Sequence, residues 1–250
     1  MKGIANFRDF GGHALAGGGR IAPGRLYRSG SLGKATDDDL ARLAGLGLGA
    51  LADLRRGQER AADPNRLPPG FSGPVFLNPD DSATESPHIA FLRVAGENPA
   101  ELDAMIEYYY RAMPLDPDLN AVLRQTIAFL LGRDDPVLIH CSAGKDRTGF
   151  VAATLLQALG VDEEAIIADY LQSTQLTDEA RFEAVVAALE RETGRTLPLA
   201  TVRRMFGIEP HWIEYPRRAI RDEFGSYATY LASLGLDEAA LERLRSRLVE

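Results

Sequence analysis

The stretch His-Cys-Ser-Ala-Gly-Lys-Asp-Arg-Thr-Gly, residues 140–149, holds the chain's single cysteine, Cys141, and an arginine, Arg147, six positions later. Val137-Leu138-Ile139 precedes it as a short apolar run, and the apolar pattern after Arg147 is helical. A strand ending at His140, a loop over Cys141–Lys145 and a helix beginning near Arg147 would bring several backbone N–H groups to one point. Free N–H groups at a helix start, with the dipole behind them, favour a phosphate dianion. Gly144 and Gly149 lack a Cβ, which permits the tight curvature and the close approach. Arg147 adds a planar fork that matches two phosphate oxygens. Ser142, Ala143, Gly144, Lys145, Asp146 and Arg147 together form the expected phosphate-binding set. The same positive field favours the anion of Cys141, the form in which a cysteine is a nucleophile able to attack phosphorus. Thr148 is expected to donate its hydroxyl to the sulfur, and His140 to orient the loop through its ring N–H.

The elements that must carry this loop are legible around it. Thr36 reads as the N-cap of a short helix with three aspartates in its first turn, Asp37, Asp38 and Asp39, where the dipole favours negative charge. Leu48–Asp53 reads as a buried strand with Asp53 and Arg55 at its carboxyl end, where ligands gather in open α/β sheets. A short strand at Val75–Leu77 interrupts a Pro- and Gly-rich connection over 63–99. Leu102, Met105, Ile106, Tyr109 and Met113 repeat at helical spacing, and a second helix is expected over about 119–131. Arg147–Leu159, closed by Gly160, is apolar on nearly every side and reads as central. Asp162 is placed to cap a helix running to Tyr170, with further helical patterns at 178–193, 199–206, 226–233 and 238–249. Residues 11–33, dense in glycine, read as a small hairpin. The whole predicts an α/β fold, a mainly parallel central sheet flanked by helices, in a single domain over residues 1–250.

The composition limits the function classes. With 45% hydrophobic and 26% charged residues the chain of 250 can build one substantial core. A net charge of −8 argues against a large nucleic-acid or anionic-membrane surface, so anion recognition must be local. One cysteine forms no internal disulfide, and four scattered histidines offer no zinc-like spacing, so neither a metal nor a cofactor is expected. No integral membrane segment and no signal-peptide pattern is visible, and a cytoplasmic setting is the simplest reading, with export lacking a visible signal compatible with it. Gly30–Thr36 lacks the first glycine of a P-loop ATPase motif, because position 28 is arginine. Gly45–Ala50 lacks the third glycine of a dinucleotide fingerprint. Oligomeric state is not legible.

The loop resembles the Cys-x5-Arg signature of the protein tyrosine phosphatase superfamily, with His before the Cys and Thr after the Arg. Asn6–Gly12, Leu26–Leu32 and Asp53–Arg60 resemble segments of the bacterial tyrosine phosphatase branch that includes secreted mycobacterial and listerial enzymes, in which Lys and Asp also precede the loop arginine. The resemblance implies a tyrosine phosphatase-like fold with helical lid insertions, here at 80–115 and 174–215. It also implies metal-independent phosphomonoester hydrolysis through a phosphocysteine. The substrate expected is a phosphotyrosine protein, with phosphoserine or a phosphoinositide also admitted. A primary lipid phosphatase and a phosphate-binding pseudophosphatase are the alternatives. No Trp-Pro-Asp loop is present, so the general acid is sought among Asp146, Asp53 and the Asp80-Asp81 pair, with Asp146 first and Asp53 next. Arg8 and Asp9 are expected to pair and brace the floor of the site. Arg55 and Arg56 read as surface charges, Asp80 and Asp81 as turn residues, and Tyr108–Tyr110 as helix packing.

Overall fold

The computed structural model describes residues 1–80, 99–173 and 179–250. Five strands form one sheet in the order β1 (Arg8–Asp9), β2 (Leu26–Ser29), β5 (Val137–His140), β3 (Ala50–Asp53), β4 (Val75–Leu77). β1 runs antiparallel to β2, and every other pair is parallel. The register sets Ser29 and Asp53 on either side of His140 and Leu77 beside Asp53. The carboxyl ends of four strands therefore align, and β5 delivers Cys141 at the centre of that edge.

A sheet covered on both faces needs strands that are apolar on both sides. Ala50, Ala52, Val137 and Ile139 face the larger core, while Leu51 and Leu138 face a smaller one with Ile4, Leu32, Leu40 and Leu43. α1 (Asp37–Ala44) belongs to the smaller core and starts in a capping box of Thr36 and Asp39. α2 (Gly57–Ala62) follows β3 closely.

The larger core is built on α3 (Pro99–Ala112), α4 (Pro117–Gly132), α5 (Asp146–Leu159) and α6 (Glu163–Leu171). α7 (Glu179–Thr193), α8 (Leu199–Phe206), α9 (Glu214–Phe224), α10 (Tyr227–Ser233) and α11 (Glu238–Leu248) complete it. α5 is central as the sequence predicts, with eleven buried residues and a left-handed Gly160 at its end.

The expected lids prove to be well anchored where they are described. Leu102, Ile106, Tyr110 and Met113 from the first, and Phe182, Val186, Val202, Met205 and Trp212 from the second, are buried in the larger core. The remainder of both segments, 81–98 and 174–178, lies outside the described residues. The glycine-rich hairpin is smaller than expected, a lone bridge between Ala14 and Arg20, because Leu26–Ser29 is drawn into the main sheet. Asp162 occupies the N-cap position of α6, but its side chain makes no capping bond. α9 was not expected, since Pro216 and a high charge density mask its pattern; a proline is tolerated in a first turn. Among the described residues no helix is long and apolar enough to cross a membrane.

Candidate active site

The loop after β5 is pinned from outside. Ser31 N–H donates to Ser142 O at 3.0 Å, Asn6 Nδ2 to Ala143 O at 2.9 Å and Arg28 Nη2 to Gly144 O at 3.1 Å. In a planar trans peptide the carbonyl and the following N–H point opposite ways. Fixing these three carbonyls outward therefore turns the N–H groups of Ala143, Gly144 and Lys145 inward. That of Gly144 donates to Cys141 Sγ at 3.2 Å. Gly144 has φ +71°, and a Cβ there would stand 2.4 Å from Gly30 N, so the turn admits only glycine. Cys141 is 2% exposed, and the guanidiniums of Arg28 and Arg147 both lie within electrostatic reach of it.

Arg147 is held by Glu59 of α2. Nη1 meets Oε2 at 2.7 Å and Nη2 meets Oε1 at 2.6 Å, while Nη1 also donates to Leu54 O at 3.2 Å. A guanidinium has five N–H donors. The two left over, on Nε and on Nη2, share the edge beside Nε and have no hydrogen-bond partner among the described residues. That edge is a fork of the right form for two phosphate oxygens. Ser142 Oγ donates to the same Glu59 carboxylate. Burial would raise the Glu59 pKa, but Arg147, Ser142 and the Arg56 N–H outweigh it and bring the value down to about 2.

Behind the loop, Asp169 of α6 pairs with both Arg28 and Arg8, the latter at 2.9 Å, and Ser173 Oγ accepts from both arginines. Burial works against the Asp169 carboxylate, yet the two guanidiniums hold it below the usual carboxylate range. This corrects the expected Arg8–Asp9 pair. Asp9 instead accepts the N–H groups of Gly11 and Gly24, and Arg8 reaches across to α6. The Asn6–Gly12 segment still braces the floor, through Asn6 on the loop and Arg8 on Asp169.

Asp53 departs from its expected role as a catalytic carboxylate. It is fully buried, with Arg55 Nε on Oδ1 at 2.9 Å, Arg55 Nη2 on Oδ2 at 2.8 Å and Asn65 Nδ2 on Oδ2 at 2.9 Å. Burial would push its carboxyl up; the His140 ring and the bonds from Arg55 outweigh that and keep it below the usual range. An ionised group with both oxygens taken has no proton to give, so Asp53 is a structural anchor for Arg55. Arg55 itself is 1% exposed rather than a surface charge, because Asp53, Asn65 and Ser31 ring its guanidinium. Arg56 does stay near the surface, paired with Asp80 at 3.2 Å. Asp81 lies outside the described residues.

The remaining expected residues divide. His140 is buried, its Nδ1 3.5 Å from Cys141 O and its Nε2 3.7 Å from Asp53, and burial lowers its pKa, which keeps the ring neutral. Thr148 Oγ1 is buried without a hydrogen-bond partner among the described residues, so the donor seen on the sulfur is the Gly144 N–H and not this hydroxyl. Lys145 contributes its backbone to the loop, but its ammonium turns away from the centre. Nζ donates to Met205 O at 2.7 Å and Gly207 O at 2.8 Å, at the end of α8, and lies 5.5 Å from the Trp212 ring.

Asp146 opens α5 with its side chain 24% exposed and 3.5 Å from Lys145 Nζ. Tyr110 Oη donates to its Oδ1, and Tyr170 Oη stands 2.7 Å from Tyr110 Oη. Of the three tyrosines of α3, all expected to pack, Tyr110 and in part Tyr109 join the core and Tyr108 does not. Tyr108 is 75% exposed and Tyr110 buried, while Tyr109 lines a small cavity with Arg147, Arg56, Asn78 and Asp116.

Glu59, Arg28, Asp169, Tyr110 and Tyr170 were not singled out from the sequence. For Glu59 and Arg28 a signal existed, since they fall inside the Asp53–Arg60 and Leu26–Leu32 segments; Asp169, Tyr110 and Tyr170 come from distant elements and carry no local pattern that marks the site.

The site can therefore hold a phosphoryl group between inward amides and a free arginine edge, beside a thiol and a partly exposed carboxyl. Comparison with known proteins agrees with that chemistry. The model of the tyrosine phosphatase family matches residues 1–250. The triple specificity protein phosphatase PtpB of Mycobacterium tuberculosis is 33% identical, over all of this chain and 98% of that protein. A Cupriavidus necator protein that bears a provisional tyrosine-protein phosphatase name is 35% identical over 95% of this chain and 84% of its own. A tyrosine-protein phosphatase of Nostoc commune is 26% identical over 89% of this chain and 74% of its own.

Proposed function

This chain belongs to the tyrosine phosphatase family and is a cysteine-dependent phosphatase, and from that premise we propose how its residues share the reaction. Cys141 Sγ attacks phosphorus as a thiolate, an S–P bond forms, and the P–O bond to the leaving group breaks with its electron pair going to oxygen. Asp146 gives that oxygen a proton. Water then attacks the phosphocysteine and passes a proton back to Asp146. The S–P bond breaks with its pair returning to sulfur, and inorganic phosphate departs. The Nε–Nη2 edge of Arg147 and the N–H groups of Ala143, Gly144 and Lys145 hold the equatorial oxygens throughout. No metal or cofactor enters these steps, and one domain over residues 1–250 carries them all. The observation that bears most weight is the Gly144 N–H on Cys141 Sγ at 3.2 Å, in a loop whose three carbonyls are tied outward.

The substrate we propose is a phosphotyrosine protein. The lipid alternative would recruit the loop lysine to a polyphosphorylated headgroup, but the Lys145 ammonium is engaged with Met205 and Gly207. We place the protein in the cytoplasm. The test is hydrolysis of a generic aryl phosphate, insensitive to EDTA, blocked by vanadate and lost in Cys141→Ser; retention of turnover in that variant would overturn the assignment. Turnover of phosphotyrosine peptides set beside phosphoinositides decides the substrate class, and phosphate binding with no turnover at all would mark a pseudophosphatase.

A further inference from the structure

We infer that Tyr110, backed by Tyr170, is a positioning residue that fixes which oxygen of Asp146 carries the transferable proton; the inference rests on the reading of Asp146 as the general acid. Tyr110 projects from α3 and Tyr170 from α6, and each is almost fully enclosed, at 2% and 1% exposure. Both phenols converge on the first residue of α5, with Tyr110 Oη on Asp146 Oδ1 and Tyr170 Oη 2.7 Å behind it. The Tyr110 ring is itself wedged, 5.8 Å from the Trp212 ring and 6.0 Å from that of Tyr109. Tyr170 packs against Gly149, where an added Cβ would stand 3.0 Å from its ring.

Each phenol has one proton. The ionised Asp146 carboxylate only accepts, so the Tyr110 proton points to Oδ1, and the Tyr110 oxygen is left to accept from Tyr170. The chain runs one way, from Tyr170 to Tyr110 to Asp146. When Asp146 takes up a proton, Oδ1 keeps its donor and acts as the carbonyl oxygen, so the proton resides on Oδ2. The arrangement thus selects one oxygen as acid and limits rotation of the carboxyl, which matters because proton transfer demands hydrogen-bond reach to the leaving oxygen. Burial, then the negative charge of Asp146, raises both phenols well above an ordinary tyrosine, so they stay protonated donors at working pH. Among the described residues, the other groups facing Asp146 are the Lys145 ammonium and the Tyr109 phenol.

A buried tyrosine that only fills space would also seek a partner for its hydroxyl. The two roles separate on leaving groups, because a proton donor matters most when the departing oxygen is basic. The experiment measures kcat/KM for a series from 4-nitrophenyl phosphate through phenyl phosphate to an alkyl phosphate. It uses the full chain, Tyr110→Phe, Asp146→Asn and the double variant. The expected result is a loss in Tyr110→Phe on the alkyl ester larger than its loss on the nitrophenyl ester by about tenfold, a share of the typical general-acid effect of 10²–10⁴. In the Asp146→Asn background the same substitution should cost less than about twofold, the sign of action through one group. An equal loss across the series, or full additivity, overturns the inference while leaving Asp146 as the acid. No leaving-group dependence in Asp146→Asn overturns the reading beneath it. Tyr170→Phe, which leaves the Tyr110 bond in place, should show the same trend more weakly, and serves if Tyr110→Phe does not fold.

Discussion

The guanidinium of Arg147 and the carboxylate of Glu59 meet end to end, at 2.7 and 2.6 Å, and leave one edge of the arginine for substrate. Glu59 therefore decides the direction in which that edge faces. Glu59→Gln keeps the shape but removes the charge and half of the acceptor capacity. Because the two side chains are only 12% and 9% exposed, breaking the pair should cost about 3 kcal/mol, the low end for a buried ion pair that loses one partner. Aryl phosphate kinetics should show kcat/KM down by about tenfold or more, as expected when oriented charge stabilisation is loosened. Vanadate inhibition should weaken in parallel. Unchanged vanadate affinity would show that Arg147 is oriented without Glu59.

The same pair sets an acid limit on stability. Glu59 has its pKa lowered to about 2 in the folded protein from an ordinary 4.5. A depressed carboxylate contributes stability that is fully present above its unfolded value and is lost as pH falls towards the folded one. The loss should therefore develop between about pH 4.5 and pH 2, and amount to about 3 kcal/mol at about 1.4 kcal/mol for each tenfold change in proton affinity. His140 adds in the same direction, since a ring buried neutral must charge as the pH drops below the usual histidine range. Urea midpoints measured from pH 6 to pH 3 should fall steeply in the parent protein and less steeply in Glu59→Gln. Parallel slopes would remove Glu59 from the account.

Lys145 ties the catalytic loop to α8 through Met205 O and Gly207 O. Replacing it with methionine keeps most of the volume and leaves two carbonyls without their donor, a cost of about 1–3 kcal/mol for each group that stays dry. Hydrogen exchange should accelerate over residues 199–213 while the central sheet keeps its protection. Exchange that rises uniformly, or not at all, would mean that Lys145 is no local clasp.

How far these relationships could be read beforehand follows from their separation along the chain. Cys141, Gly144 and Arg147 are neighbours in sequence, and a strand, a turn and a helix N-terminus each have a local pattern, so the loop and its place at the carboxyl edge of the sheet were legible. Ala50–Asp53 and Val75–Leu77 were legible for the same reason. The partners were not. Glu59 meets Arg147 across 88 positions, and Asp169 meets Arg28 across 141, so only the packed fold brings them together. Asp53 shows the converse: its strand-end position suggested chemistry, and only the burial of Arg55 beside it reveals a closed structural pair. Lys145 has the loop position of a phosphate ligand, but the carbonyls that capture it sit sixty residues later.

Gly144 and Gly12 allow backbone strain and steric exclusion to be measured apart. Their φ angles are nearly equal, +71° and +77°, but a Cβ on Gly12 would meet nothing within 4 Å, whereas one on Gly144 would lie 2.4 Å from Gly30 N and 2.6 Å from Ser29 O. Gly12→Ala should cost only the left-handed penalty of about 1–2 kcal/mol, with little change in kcat/KM. Gly144→Ala must in addition push the loop off the end of β2, because the colliding atoms are backbone and cannot rotate aside. That displacement would carry the Gly144 N–H away from Cys141 Sγ and unfasten the carbonyls that turn the amides inward. Activity should fall by at least about a hundredfold, in the range seen for loss of an oriented backbone donor. Thermal melting of the two variants and their turnover of an aryl phosphate, measured together, should separate widely in rate and less in melting temperature. Equal losses in both variants would mean that the close approach of the loop to β2 has no part in holding the sulfur and its amides in register.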